Sequence, residues 1–318
     1  MAPERQPLGR SGLSIAPLMF GGNVFGWTAD EAMSFRLLDA FLDAGFNAID
    51  TADVYSRWVP GHVGGESETI LGAWMKARGT RNRVVVATKV GMELAPDRKG
   101  LSPAWITRSV EDSLRRLGID HIDLYQAHKA DPEVPIAETL GAFARLIEQG
   151  KVRAIGASNY DAAQLREALD VAAAQNLPAF ATLQPKYNLM DRAEFEEALQ
   201  PLCVERGIAV IPFYGVAAGF LTGKYRSAAD IEGRPRARAL AAYANERGWR
   251  VIAALDAVGA RLGAAPVEVA IAWLRTRPAL AAPIASATSP DQLAALLRGA
   301  VLALDTEALA ALDAASAP

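Results

Sequence analysis

Short apolar runs recur along the chain, and almost every one stops at a polar or aromatic residue. Phe46-Asn47-Ala48-Ile49 ends at Asp50, Val84-Val85-Val86-Ala87-Thr88 at Lys89, and the run from Ile122 to Ala127 at His128. Further runs end at Ser158-Asn159, Gln184, Phe213-Tyr214 and Ser286, and the first, Ile15 to Phe20, is broken by Gly21-Gly22-Asn23. Continuous rather than alternating apolar runs predict strands covered on both faces, as in a parallel sheet. Between them apolar residues take helical spacing. Asp30 would cap a helix through Ala44 that carries Phe35, Leu38, Phe41 and Leu42. Ser102, with Pro103 at a first helical position, opens a helix to about 117. Others are predicted near 66–78, 135–149, 161–174, 194–206, 244–262 and 266–277, and two more finish the chain. Residues 5–8 and 13–15 flank Gly9-Arg10-Ser11-Gly12 as a small hairpin. Eight strands alternating with helices predict a (β/α)8 TIM barrel with an N-terminal β-hairpin and C-terminal extra helices, one domain over 1–318. The Arg- and Ala-rich segment 223–243 is the expected mobile loop.

Composition narrows the function classes. The 318 residues are 51% hydrophobic and 22% charged, a globular balance for a large core. A net charge of −3 gives no basic surface for nucleic acid or an anionic membrane. Cys203 is the only cysteine, which excludes an internal disulfide and a thiolate metal cluster. No apolar run approaches the ~18 residues of a membrane span, and Met1-Ala2-Pro3-Glu4-Arg5 lacks the apolar core of a signal peptide. A cytoplasmic protein, monomeric or weakly self-associating, is the expectation.

In a barrel of this kind chemistry sits at the C-terminal ends of the strands. Asp50, Lys89 and His128 fall there, with Tyr55 in the loop after Asp50. A phenol with a pKa near 10 is a poor proton donor at neutral pH. An ammonium from Lys89 would favour the phenolate and lower that pKa, while Asp50 would keep Lys89 charged. His128 would orient a carbonyl oxygen as a neutral donor. Each residue also has an ordinary reading: Asp50 as a cap, Lys89 as a solvated strand end, His128 as a structural histidine, Ser158-Asn159 as a helix N-cap. Their coincidence at corresponding strand ends favours the chemical reading. Gly219-Phe220-Leu221-Thr222-Gly223-Lys224 falls one residue short of the P-loop spacing, and no G-x-G-x-x-G follows a strand. His62, His121 and His128 lack metal-ligand spacing.

Taken together, the chain resembles the aldo-keto reductase family from the hairpin to about residue 297. The resemblance rests on Asp50-Thr51-Ala52-x-x-Tyr55, Gly65-Glu66-Ser67-Glu68, Ala87-Thr88-Lys89, Asp123-Leu124-Tyr125-x-x-His128, Gly156-x-Ser158-Asn159, Gln184-x-x-Tyr187-Asn188-Leu189 and the 219–224 stretch. It implies NADPH-dependent reduction of a small aldehyde or ketone, with Tyr55 as general acid, Asp50 and Lys89 tuning it, and His128 positioning the carbonyl. By the same resemblance Ser158, Asn159 and Gln184 would hold the carboxamide of the cofactor and Phe213 would stack on its nicotinamide. Tyr214, Gly219, Leu221 and Lys224 would hold the pyrophosphate. Gly22, Asn23 and Ser286 would also contact the cofactor, and Thr288 and Gln292 would reach its adenosine end. Phe25, Trp27, Trp58 and Tyr187, with Asn23, would line the mouth, and the loop 56–65 would close over it. Phe213 replaces the family's common Tyr or Trp, and Thr288 and Leu296 replace its common Arg and Asn. NADH therefore remains possible, with Arg234, Arg236 or Arg238 as compensating cations. Two other readings stay open: a Lys89 Schiff-base aldolase, and a non-catalytic NADPH-binding regulatory subunit similar to potassium-channel β subunits.

Overall fold

The structure is a computed structural model that describes residues 2–234 and 236–318; Met1 and Pro235, the latter inside the 223–243 segment, lie outside the described residues. Strands β1 (Gln6–Pro7) and β2 (Ser14–Ile15) form the antiparallel hairpin. Eight parallel strands follow: β3 (Met19–Gly21), β4 (Ala48–Asp50), β5 (Val85–Val90), β6 (Ile122–Ala127), β7 (Val152–Ser158), β8 (Thr182–Gln184), β9 (Ala209–Val210) and β10 (Ile284–Ala285). Their order is sequential, with β10 beside β3. The ring closes between β9 and the approach to β10: Val210 N–H donates to Ala279 O and Ala281 N–H to Val210 O, each at 2.8 Å.

Two apolar layers follow from the alternation of side chains along each strand. Inward residues Met19, Ala48, Val85, Ala87, Leu124, Ala154, Ala209 and Ile284 pack together with Leu8, Leu13 and Ile15 of the hairpin. The hairpin thus plugs the end where the strands begin. This leaves the other end, with its polar residues, open to a site. Ile15 therefore belongs to the hairpin rather than to the first barrel strand. The outward residues meet the helices α1 (Glu31–Asp43), α2 (Glu66–Arg78), α3 (Pro103–Leu117), α4 (Ile136–Glu148), α5 (Ala162–Ala174) and α6 (Gln200–Arg206).

Side-chain caps fix several of these helix starts. Asp30 Oδ1 accepts from Met33 N–H at 2.8 Å, Ser102 caps α3, and Asp161 and Gln164 form a reciprocal capping box on α5. The expected helix over 194–206 opens instead as a π-helix, Phe195–Leu199, before α6. Pro201 explains the change, since it has no N–H for the carbonyl four residues back and its ring crowds that turn. The 223–243 segment, expected as a loop, holds short helical elements among its described residues. It carries a 3₁₀ turn (Ala228–Ile231) and the short helix α7 (Ala237–Ala241), anchored by buried Ile231 and Leu240 and by Tyr243 Oη donating to Asp191 at 2.7 Å. Helices α8 (Glu246–Leu262), α9 (Pro266–Arg275), α10 (Pro290–Gly299) and α11 (Thr306–Ser316) complete the chain. No single helix among the described residues is long and apolar enough to cross a membrane.

Candidate active site

Register places the polar groups. Gly21 pairs with Asp50, Asp50 with Ala87, Lys89 with Gln126, and Ser158 with Gln184, so side chains from five neighbouring strands point into the same end of the barrel. At its floor Lys89, fully buried, spends all three ammonium donors: on Asp50 Oδ2 at 2.7 Å, Thr51 O at 2.8 Å and Tyr55 Oη at 2.8 Å. Tyr55 Oη in turn donates to Asp50 Oδ2 at 3.2 Å. The other Asp50 oxygen accepts from Gln184 Nε2 at 2.9 Å and Gln126 Nε2 at 3.4 Å. Asp50 is therefore no helix cap, and Lys89 is no solvated strand end.

Burial sets the protonation states. It raises the Tyr55 phenol well above its ordinary value, and the Asp50 charge and hydrogen bond add to this. The ammonium was expected to lower that pKa, and the structure reverses the direction because burial of the phenol, with the Asp50 charge beside it, outweighs the pull of Lys89. Burial also lowers the Lys89 ammonium, against the pull of Asp50, Asp53 and Glu68. His128, its ring centroid 6.1 Å from that of Tyr55, is pushed well below the usual imidazole range by burial and then by Lys89 and Lys129. It is a neutral ring whose Nδ1 has no partner among the described residues. A resting phenol and a neutral imidazole thus face one cavity.

That cavity is about 480 Å³ and is lined by Asn23, Trp27, Asp50, Tyr55, Trp58, His128, Ser158, Asn159, Gln184, Phe213, Tyr214 and Ser286. A second cavity of about 490 Å³ continues from it, sharing Trp27, Val216, Ala218, Arg236 and Ser286, and reaches Gly219, Lys224, Thr288, Gln292 and Leu296. Four expected contacts fall elsewhere. Tyr187 is fully buried, packed against Phe195 and Trp273, and its hydroxyl donates to Glu196 at 2.6 Å. Phe25 stacks on Phe20 inside the core, with ring centroids 5.3 Å apart. Leu221 is core. Gly22 lies behind the wall, its carbonyl accepting from Ser67 Oγ at 2.7 Å, while Gly21 faces the cavity. Apolar or aromatic character draws the first three inward, which the motif positions alone do not reveal.

Gln126, Met92 and Gly21 were missed. Gln126 was discoverable, since it sits two residues before His128 and so shares its strand face.

The donor set fits a dinucleotide. Ser158 Oγ donates to Gln184 O, Asn159 Nδ2 to His128 O, and Gln184 Nε2 to Asp50. No protein donor among the described residues reaches Gln184 Oε1 or Asn159 Oδ1, which leaves two acceptors suited to a carboxamide. The second cavity offers Lys224 and Arg234 beside a backbone turned through positive φ at Ala217, Ala218 and Gly219. Such a concave backbone with cations suits phosphate.

The model of the Aldo/keto reductase family matches residues 17–317. The Uncharacterized oxidoreductase YrpG of Bacillus subtilis (strain 168) is 34% identical over 314 residues, 96% of this chain and 94% of that protein. Aldo-keto reductase YhdN of the same organism is 32% identical over 292 residues, covering 90% of this chain and 84% of the relative. A Putative voltage-gated potassium channel subunit beta of Schizosaccharomyces pombe (strain 972 / ATCC 24843) is 31% identical over 308 residues, 90% of this chain and 85% of that protein.

Proposed function

The chain belongs to the aldo/keto reductase family, an oxidoreductase family, and on that premise we propose that it reduces a small aldehyde or ketone to an alcohol with NADPH. The observation that carries this reading is the closed triangle of Lys89, Asp50 and Tyr55 at the cavity floor, with neutral His128 beside it. A buried phenol backed by an ammonium suits a substrate group that gains negative charge at the cavity floor.

When bound, the nicotinamide supplies the hydride, and the protein supplies position and charge. Tyr55 Oη gives its proton to the carbonyl oxygen as charge develops there. Lys89, donating to Tyr55 Oη, stabilises the phenolate left behind, and Asp50 holds Lys89 charged although burial opposes it. His128, neutral, directs a ring N–H at the same oxygen, which excludes a competing proton source. Gln184 and Asn159 would accept from the carboxamide, Phe213 would face the nicotinamide, and Lys224 and Arg234 would take the phosphates. Trp27 and Trp58, edge to face at 5.7 Å between centroids, would form the apolar rim of the substrate side.

The test offers an activated aromatic aldehyde and NADPH to wild type and Tyr55→Phe while following nicotinamide absorbance. We expect wild-type turnover and a loss of about a hundredfold to ten-thousandfold in the variant, with cofactor affinity retained. Equal rates in both would remove Tyr55 as the acid. Tight NADPH binding without turnover would favour the regulatory reading that the channel-subunit relative brings forward. Substrate trapped on Lys89 by borohydride would favour an aldolase.

A further inference from the structure

Behind the Lys89 floor lies a second layer of charge that the proposed reaction does not use. Asp53, Glu68 and Arg116 are packed between α2, α3 and β5, with Asp53 and Glu68 fully buried. Glu68 is well served: it accepts from Thr88 Oγ1 at 2.6 Å and Arg116 Nε at 2.7 Å. Asp53 is not. Its Oδ2 accepts only from Ser109 Oγ at 3.2 Å, and its Oδ1 has no partner among the described residues. No cation among them lies within ion-pair distance of it. The nearby Tyr125 hydroxyl is likewise buried without a partner.

An ionised carboxylate in this position would be expensive. Counting Asp50, Asp53 and Glu68 against Lys89 and Arg116, full ionisation leaves one uncompensated negative charge in the wall. A proton on Asp53 makes the five groups neutral overall and removes the cost of burying an unpaired carboxylate charge. We infer that Asp53 is a proton-holding positioning residue, neutral while the enzyme works, whose ionisation switches the charge felt by Lys89 and Tyr55. The inference rests on the reductase reading for its kinetic consequence but not for the proton itself.

The surroundings agree. Burial and the facing Glu68 charge push Asp53 up to about 8, against the opposing pull of Arg116, the Ser109 hydroxyl and the Val54 backbone N–H. The groups facing Asp53 are Glu68 from α2, Arg116 and Ser109 from α3, Lys89 from β5 and Tyr125 from β6, and of these the Lys89 and Tyr125 protons are also sensitive to its charge. The Asp53 backbone N–H donates to Lys89 O at 3.3 Å, so the two residues share one backbone contact as well. An anion there also favours the Lys89 ammonium. Asp50 already holds that charge at 2.7 Å, so the net effect of a further negative charge in the wall is to repel the Tyr55 phenolate. Reduction should therefore slow once Asp53 loses its proton.

The experiment measures carbonyl reduction from about pH 6 to about pH 10 for wild type and Asp53→Asn, each normalised to its own low-pH plateau. Wild type should fall about tenfold or more through an alkaline limb near pH 8, since one unit charge within roughly 12 Å at an effective dielectric of ~20 produces at least that. Asp53→Asn, permanently neutral, should lack that limb. The same limb in both proteins overturns the inference. Infrared titration of the cofactor-free wild type with isotope-labelled aspartate reads the proton directly, whether or not the enzyme turns over and whether or not the variant folds. One aspartate should remain protonated at neutral pH, and every aspartate ionised there overturns the inference.

Discussion

Lys89→Met tests whether Asp50 and Lys89 act as one unit. The change deletes three hydrogen bonds of 2.7, 2.8 and 2.8 Å and leaves Asp50, 1% exposed, without its counter-ion. Breaking a buried pair from one side costs about 3–5 kcal/mol, because the surviving charge cannot return to water. At roughly 2 °C per kcal/mol for a chain of this size, Tm should fall by about 6–10 °C. Adding Asp50→Asn removes the stranded charge. The new amide is well placed, since its oxygen can accept from Gln184 and Gln126 as Asp50 Oδ1 does now, and its NH₂ can donate to Tyr55 Oη. The double variant should recover at least about 2 kcal/mol of what Lys89→Met alone loses. Urea unfolding of wild type, both single variants and the double variant closes the cycle, and aldehyde turnover should be lost in all three. A double variant destabilised by the sum of the two singles would refute the reasoning, because the pair would then contribute independently.

Two further changes probe other parts of the same wall. His128 is neutral in the folded protein well below its unfolded pKa of about 6.5, so the unfolded chain binds the extra proton and stability should fall as pH drops below that value. His128→Gln should flatten this acid slope in urea titrations at stepped pH, and an unchanged slope would place its origin elsewhere. At Gly156 an added Cβ would overlap the Thr182 hydroxyl and lie 3.2 Å from Gln126 Cγ. Gly156→Ala should therefore cost about 1–3 kcal/mol in chemical denaturation and weaken activity by moving Gln126 against Asp50; a neutral effect would show that the contacts of β7 with β6 and β8 have room to relax.

How much was legible in the sequence follows from which physical signals are local. The barrel was readable because its strands are continuous apolar runs and some of its helix starts carry side-chain caps such as Asp30 and Ser102, all short-range features. At α5 the cap is Asp161 rather than the expected Ser158-Asn159. The assembly of Asp50, Tyr55 and Lys89 was readable because each lies at or just past a strand end, a position the barrel converts into proximity. Tyr187 and Phe25 were misplaced because a motif position does not say which way a ring turns, and packing against Trp273 and Phe20 decides it. The direction of the Tyr55 shift was also out of reach. It depends on Asp50 compensating Lys89 at 2.7 Å and on how deeply all three are buried, quantities that exist only after folding.

The same distinction explains why Asp53 stayed silent in the sequence. It reads as one more polar residue in the loop after β4, between Asp50 and Tyr55. Its character comes from what is missing around it: Glu68 has claimed Arg116, Asp50 has claimed Lys89, and among the described side chains Ser109 alone donates to it. A phenol serving as an acid needs a wall that does not oppose its anion, and a wall with three carboxylates and two cations does not supply that unless one carboxylate keeps its proton. Neutrality of Asp53 is thus a condition that the proposed Tyr55–Lys89 chemistry imposes on its surroundings. If the infrared titration found Asp53 ionised at neutral pH, the Tyr55 phenolate would have to form against a net negative wall, and the stabilising role given to Lys89 would no longer be sufficient.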